Sequence, residues 1–179
     1  MKGNINIPNI LAFVRLAVAP LMFLFLVDRD LFPHIHPSWL DYFAAFLFVL
    51  ASITDFFDGY IARKFDQITQ LGKILDPLAD KMLTLAGFLG LMVLGRANPW
   101  AVYLILTREF FITGLRVSAV GSGKEIAASF LGKVKTIVQM FAIGFLTMDW
   151  TTIGVPLLWL AVAITLYSGY EYTKAYLKD

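Results

Sequence analysis

Long apolar segments joined by short polar links dominate this sequence. A helix needs about 20 mainly apolar residues to cross the hydrocarbon core of a bilayer. Six segments are long enough to do so, and they cover residues 10–27, 41–61, 74–95, 100–120, 126–148 and 152–172. The links contain helix-breaking residues such as Pro33, Gly72 and Pro99. The pattern predicts an all-α integral membrane protein, a six-transmembrane-helix bundle in which residues 1–179 form a single domain.

The composition excludes most soluble classes of protein. Of the 179 residues, 59% are hydrophobic and 16% are charged, whereas typical soluble domains are about 45–50% apolar. The net charge is only +2 and the basic residues are scattered among apolar runs, which argues against nucleic-acid binding. The chain has no cysteine, so disulfides, thiolate metal sites and cysteine nucleophiles are excluded.

The basic residues at the segment ends predict the orientation in the membrane, because cytoplasmic loops are enriched in Lys and Arg. One side carries seven of them: Lys2, Arg63, Lys64, Lys73, Lys124, Lys174 and Lys178. The other side carries only Arg29 and Arg96. Both termini are therefore expected in the cytoplasm. The remaining six basic residues lie within the predicted spans: Arg15, Lys81, Arg108, Arg116, Lys133 and Lys135.

Four aspartates lie at the cytoplasmic ends of the second and third segments. Asp55 and Asp58 are three residues apart and Asp76 and Asp80 are four apart, so each pair shares a helical face. The connecting hairpin is short, and converging carboxylates need cations between them; hard oxygen ligands suit Mg²⁺ or Mn²⁺. Two carboxylate-bridged divalent ions commonly serve displacement at phosphorus. The alternative is that the aspartates only cap helices or lie as loop charges near the membrane surface. Pro77 is expected in the first helical turn, which tolerates it.

These aspartates belong to a longer pattern. It reads Asp55-Phe-Phe-Asp58-Gly59-Tyr-Ile-Ala62-Arg63, then eight residues, then Gly72-Lys-Ile-Leu-Asp76-Pro-Leu-Ala-Asp80. The pattern resembles the signature D-x-x-D-G-x-x-A-R-x8-G-x3-D-x3-D of the CDP-alcohol phosphotransferase family at every fixed position. The resemblance implies two divalent ions held by the four aspartates, with Asp80 also acting as the base that deprotonates the acceptor alcohol. It also implies a homodimer.

The resemblance further implies that Gly59, Arg63 and Thr69 contact the CDP group. Physical chemistry agrees for the two signature glycines, Gly59 and Gly72, because a residue without a side chain lets a nucleotide approach the backbone closely. The planar guanidinium of Arg63 suits a pyrophosphate oxygen at the water boundary. For Thr69, a capping role in the loop is an equal alternative.

Four basic residues in the fourth and fifth segments suggest the acceptor. Charged side chains in the membrane cost about 2.5–3.5 kcal/mol on insertion scales, so they are functional by default. Arg108 and Arg116 share a helical face, while Lys133 and Lys135 do not. We expect these cations to bind the phosphate of the acceptor, which an uncharged alcohol would not require. The alternative pairs Arg108 with neighbouring acids and extends the lysines to the surface. Glu109 is expected to point elsewhere on its helix.

Three segments resemble one branch of the family, the bacterial phosphatidylglycerophosphate synthases. They are residues 4–15, 108–116 and 127–136. The first usually reads N-x-P-N-x-L-T-x-x-R; here Asn9 is implied to contact the CDP-lipid, and Ala12 stands where threonine is usual. The branch transfers the phosphatidyl group of CDP-diacylglycerol to sn-glycerol 3-phosphate and releases CMP. The resemblance implies an active site at the cytoplasmic face of a bacterial inner membrane.

Three other functions remain as alternatives. Within the family, these are cardiolipin synthase and phosphatidylinositol-phosphate synthase, which the cationic segments disfavour by resemblance. A small cation transporter would need acidic residues through the depth of the bilayer, whereas the four aspartates lie at one end of their segments. His34 and His36 have no third ligand nearby in the sequence, so a solvated loop is favoured over a metal pair.

Overall fold

A computed structural model of the chain describes residues 6–64, 69–121 and 130–178. Over these ranges it contains six α-helices and no strand, which confirms the all-α prediction. The helices are α1 (Ile7–Val27), α2 (Pro37–Lys64), α3 (Gln70–Val93), α4 (Pro99–Gly121), α5 (Phe130–Thr147) and α6 (Thr151–Lys178), with a 3₁₀ turn at Arg29–Leu31 between α1 and α2.

Four of these helices, α1, α2, α5 and α6, are long and apolar enough to cross a membrane. The other two, α3 and α4, are long enough, but several charged residues interrupt their apolar stretches. These residues are Lys73, Asp76, Asp80 and Lys81 in α3, and Arg108, Glu109 and Arg116 in α4. Several of the candidate site residues therefore lie on the two helices whose composition departs from that of a plain membrane span.

The third helix begins earlier than the hydrophobic pattern indicated. Thr69 is its N-cap, and the Thr69 hydroxyl accepts a hydrogen bond from the backbone N–H of Gly72 at 2.9 Å. Such a cap satisfies one of the free N–H groups of the first turn, so the helix starts at Gln70 instead of residue 74. Pro77 therefore lies inside α3, and its expected place in the first turn was wrong.

The described chain divides into two compact units. In the first, α1 packs against α2 and α3. The buried stripe of α1 follows helical spacing: Asn9, Ala12, Arg15, Ala19, Met22 and Leu26. A Cβ added to Gly90 of α3 would lie 2.7 Å from Leu26 Cδ1, so the two helices approach closely at a small residue, as membrane helices commonly do.

A charged pair stabilises the other end of the first unit. Arg29, in the turn after α1, forms a salt bridge and hydrogen bond with Asp41 of α2. Asp41 is buried, so the pairing compensates a carboxylate that would otherwise be costly to bury. The bridge fixes the turn against the first part of α2.

The second unit consists of α4, α5 and α6, with α4 packed against α6. Its core combines apolar side chains such as Ile105, Ile143 and Leu158 with buried polar ones. Gln139 of α5 donates a hydrogen bond to the Thr165 hydroxyl of α6 at 2.9 Å. Interhelical bonds of this kind satisfy polar groups away from water.

Candidate active site

The first unit brings two of the predicted aspartates to one buried arginine. Arg15 of α1 forms a salt bridge with Asp55 of α2, and its Nη2 lies 3.7 Å from Oδ1 of Asp76 in α3. The Arg15 side chain is 0% exposed, whereas those of Asp55 and Asp76 are 44% and 42% exposed. The guanidinium therefore contacts both carboxylates from their buried side, and each carboxylate keeps an open side.

The remaining signature residues lie partly outside the described side chains. Asp80 is half-buried, one turn after Asp76 on α3. The predictions for Asp58, Gly59 and Arg63 fall outside the side chains that the structure describes. Among the described side chains, no three His, Asp or Glu residues form a metal-binding group on their own. The four-aspartate site therefore stays a prediction.

The described aspartates are nevertheless suited to a hard divalent cation. Both offer carboxylate oxygens, the donors that Mg²⁺ and Mn²⁺ prefer. Oδ1 of Asp76 is buried and accepts no hydrogen bond from the described residues. A buried carboxylate oxygen without a hydrogen-bond donor would be stabilised by a bound cation.

A second cluster joins the start of α1 to the start of α3. The Thr69 hydroxyl donates to Oδ1 of Asn9 at 3.0 Å, and Asn9 is buried. A Cβ added to Gly72 would lie 2.8 Å from that Asn9 oxygen and 3.2 Å from Thr69 Oγ1. All three residues were predicted to bind the CDP-lipid. The structure brings them together and gives each a structural role, with Thr69 acting as the helix cap that the sequence left as an alternative.

The second unit brings two of the four predicted phosphate-binding cations together around Glu109. Glu109 of α4 pairs with the buried Lys135 of α5. Its Oε1 also lies 3.6 Å from Nη1 of Arg108. The expectation that Glu109 points elsewhere on the helix was wrong, because the helix rotation between adjacent residues still lets two long side chains meet at their ends. The alternative of pairing between Arg108 and a neighbouring acid is confirmed.

The other two cations are placed differently. Arg116 is exposed, and its guanidinium carbon lies 5.8 Å from the centre of the Tyr172 ring, a cation–π distance. Lys133 is exposed while Lys135 is buried, which confirms that these lysines occupy different faces. Among the described side chains, Arg108 and Lys135 are therefore the pair that Glu109 joins.

The structure also reveals partners that the sequence reading did not assign. Arg108 Nη2 donates to Ser168 Oγ of α6 at 2.9 Å, and that hydroxyl donates in turn to the Thr165 carbonyl at 3.1 Å. The indication in the sequence was the presence of Thr165 and Ser168 in an apolar segment. The structure shows that both side chains are fully buried. Arg15 carried a similar signal, a cation inside an apolar span, but only the packing of α1 against α2 and α3 identifies its partners.

The chain is similar to known proteins over nearly its whole length. The profile of the CDP-alcohol phosphatidyltransferase family matches residues 5–167. A CDP-diacylglycerol–glycerol-3-phosphate 3-phosphatidyltransferase of Bacillus subtilis is 37% identical over 184 residues, covering 93% of each chain. Proteins of the same name are 40% identical in Rickettsia felis, covering 98% of this chain and 97% of the relative, and 33% identical in Cereibacter sphaeroides, covering 98% and 99%.

The matched region covers parts of both units and contains Asp55, Asp76, Arg108 and Lys135. The match extends over more than half of the chain, and the relatives exceed 30% identity over nearly their whole length. The chain is therefore a member of the CDP-alcohol phosphatidyltransferase family.

Proposed function

We propose that the chain transfers the phosphatidyl group of CDP-diacylglycerol to sn-glycerol 3-phosphate, giving phosphatidylglycerophosphate and CMP. The observation that carries the phosphotransfer part is the meeting of Asp55 and Asp76, from two different helices, at Arg15. The names of the full-length relatives support the two substrates.

The donor half of the proposal rests on the first unit. Asp55, Asp58, Asp76 and Asp80 would hold two divalent cations, Mg²⁺ or Mn²⁺. Such cations, when bound, offset the charge of the pyrophosphate and of the departing CMP. The open sides of Asp55 and Asp76 leave room for such ligands.

The other donor contacts come from residues on both sides of the signature. Arg63 would hold a pyrophosphate oxygen through its planar guanidinium. Gly59 would let the nucleotide approach the backbone. The CDP group would bind at the start of α3, where it would contact Asn9, Thr69 and Gly72. The Thr69 hydroxyl donates to Asn9 and accepts from the Gly72 N–H, and these two hydrogen bonds fix the position of that helix end.

The acceptor half rests on the second unit. Arg108 and Lys135 would bind the phosphate of sn-glycerol 3-phosphate, assisted by Arg116 and Lys133. Asp80 accepts the proton of the 1-hydroxyl group, whose oxygen then forms a bond to the β-phosphorus. The bond from that phosphorus to the bridging oxygen breaks, and CMP leaves with the electron pair. Positioning and electrostatic stabilisation account for most of the catalysis in such transfers.

The decisive experiment measures CMP release by purified protein in detergent with CDP-diacylglycerol and Mg²⁺. Parallel reactions contain glycerol 3-phosphate, inositol phosphate, serine or phosphatidylglycerol as the acceptor. Asp80→Asn removes the proposed base, and Asp30→Asn is the matched control, since Asp30 is an exposed acid in the turn after α1. We expect release with glycerol 3-phosphate alone, lost in the Asp80 variant and kept in the Asp30 variant.

Other outcomes would change either the acceptor assignment or the transferase assignment. Release with inositol phosphate or phosphatidylglycerol would keep the donor assignment and replace the acceptor by that of a sister enzyme. The absence of release with every acceptor, from protein that remains folded, would refute the transferase assignment and favour the transport alternative.

The membrane arrangement is part of the same proposal. Residues 1–179 would form one domain of six spans, with both termini and the active site at the cytoplasmic face of a bacterial inner membrane, and two chains would form a homodimer. The chain contains no cysteine, so single cysteines can be introduced without altering the background. We expect Asn98→Cys to react with a membrane-impermeant maleimide from outside intact cells and Lys174→Cys to react only after lysis. The reverse pattern would invert the orientation. Cross-linking in the membrane tests the dimer.

A further inference from the structure

Arg15 occupies an unusual position for a charged side chain. It lies within α1, the most apolar of the candidate membrane spans, and its side chain is 0% exposed. A buried cation of this kind is destabilising unless anionic partners compensate it. Its partners are Asp55 of α2 and Asp76 of α3, so one cation links all three helices of the first unit.

The two carboxylates present the converse problem. Two aspartates that approach the same point repel each other when no cation lies between them. In the structure, the guanidinium of Arg15 supplies that positive charge from the buried side. The same two carboxylates are proposed to hold divalent cations on their open side, and Oδ1 of Asp76, on the buried side, accepts no hydrogen bond from the described residues.

We infer that Arg15 is a built-in counter-ion, which holds the Asp55 and Asp76 carboxylates together without metal and weakens the attraction of these carboxylates for a divalent cation. This inference rests on the proposed assignment of the two aspartates to metal binding. Arg15 is thus a positioning residue: it acts on the reaction through the carboxylates, and its complete burial keeps it from the solvent side of the site.

Two opposite effects follow when the charge of Arg15 is removed. Without metal, the carboxylates lose their counter-ion and the first unit becomes less stable. With metal, the incoming cation no longer meets a positive charge beside its ligands, so its affinity rises. A purely structural role for Arg15 would lower the stability in the same way but would not strengthen metal binding.

The test uses the full chain, purified in detergent without substrate. Mn²⁺ binding is measured from the electron paramagnetic resonance signal of the free ion, and thermal unfolding is measured with EDTA and with Mg²⁺. Arg15→Gln removes the charge and Arg15→Lys retains it. Arg29→Gln is the matched control, because Arg29 also pairs with an aspartate of α2 in the same unit but belongs to the Asp41 pair at the other end of α1.

We expect Arg15→Gln to lower the unfolding temperature in EDTA. The variant should bind Mn²⁺ about tenfold more tightly, because the repulsion between a divalent cation and one neighbouring unit charge is of this order. It should also gain more stability from Mg²⁺ than the unmodified protein does. Arg15→Lys should keep the original Mn²⁺ affinity. Arg29→Gln should lower the unfolding temperature and leave Mn²⁺ binding unchanged.

Three results would overturn the inference. The first is Mn²⁺ affinity in folded Arg15→Gln that is unchanged or weaker. The second is an equal gain in affinity in Arg29→Gln. The third applies if Arg15→Gln does not fold in EDTA: the missing counter-ion should then be replaced by Mg²⁺ or Mn²⁺ during purification, and failure of both ions to restore folding refutes the role.

The same data separate this inference from the proposed function. If the unmodified protein releases CMP in a metal-dependent reaction and binds Mn²⁺, only the role of Arg15 is in question when the variants disagree. If the unmodified protein binds no Mn²⁺, the metal assignment of Asp55 and Asp76 itself fails, and the inference about Arg15 fails with it.

Discussion

Gly72 offers the sharpest test of how the start of α3 is built. It is the third residue of the helix, and its N–H donates to the Thr69 hydroxyl. A methyl group at this position would lie 2.8 Å from Asn9 Oδ1 and 3.2 Å from Thr69 Oγ1, below the separation of about 3.5 Å at which heavy atoms pack favourably. Asn9 is buried among α1 and α3 residues, so its oxygen has little space into which it can move.

These distances decide the sign of the effect of Gly72→Ala. In open space the substitution would stabilise the protein by about 0.4–1 kcal/mol through the unfolded chain. Overpacking costs about 1–3 kcal/mol, and a disturbed Thr69 cap costs about 0.5–2 kcal/mol. We therefore expect Gly72→Ala to lower the free energy of unfolding by about 2 kcal/mol. Unfolding in detergent micelles, followed by far-ultraviolet circular dichroism during titration with SDS, measures this change.

A double-mutant cycle identifies the atom responsible. Asn9→Ala removes the nearest oxygen, so Gly72→Ala should cost at least about 1 kcal/mol less in that background, within the range found for residues in contact. Gly114→Ala is the control, because a Cβ at Gly114 meets nothing within 4 Å, and it should be neutral or stabilising by up to about 1 kcal/mol. A neutral Gly72→Ala variant, or an equal cost in both backgrounds, would refute the reasoning.

Three further outcomes are expected. Glu109→Gln should lower the free energy of unfolding by about 2 kcal/mol, because buried Lys135 loses its charged partner; unchanged stability in the SDS titration would mean that the pair contributes nothing. Gly90→Ala should be destabilising by about 1–3 kcal/mol in the same titration, since its methyl group would lie 2.9 Å from Leu26 Cβ; a stabilised variant would contradict the close packing of α1 and α3. Removal of divalent ions with EDTA should abolish CMP release, and added Mg²⁺ or Mn²⁺ should restore it; release that continues at full rate in EDTA would exclude a metal requirement.

Much of the fold could be read from the sequence because apolar length is a local property. Each predicted segment overlaps a helix of the structure, with residues 126–129 of the fifth segment outside the described ranges. The breaks at Pro33, Gly72 and Pro99 lie near helix ends or links. The boundaries were less accurate. α3 begins at Gln70, four residues before the start of the predicted apolar segment. The reason is that the capping hydroxyl of Thr69 determines where the helix starts, whereas the apolar pattern indicates only which part of the helix is buried.

The candidate site was predictable to a different degree in each part. The signature aspartates stand at fixed spacings, so their residue types and shared helical faces follow from the sequence. The partners of Asp55 and Asp76 do not, since Arg15 lies 40 residues before the first of them and 61 before the second. Glu109 shows the same limit: spacing along α4 indicated another direction, but the reach of two long side chains and the packing of α5 brought it to Arg108 and Lys135.

By itself, the sequence determined the class of this protein, its apolar helices, its signature and the residue types available for chemistry, because these depend on composition and on spacing within single helices. Tertiary structure alone decided which charges neutralise one another: Arg15 with two aspartates, and Glu109 with Lys135 and Arg108. It also decided that Asn9 accepts the hydrogen bond of the Thr69 hydroxyl at the cap of α3. The physical reason is that the cost of a buried charge is relieved only by a partner within a few ångströms, and helix packing, not sequence distance, determines which partner that is.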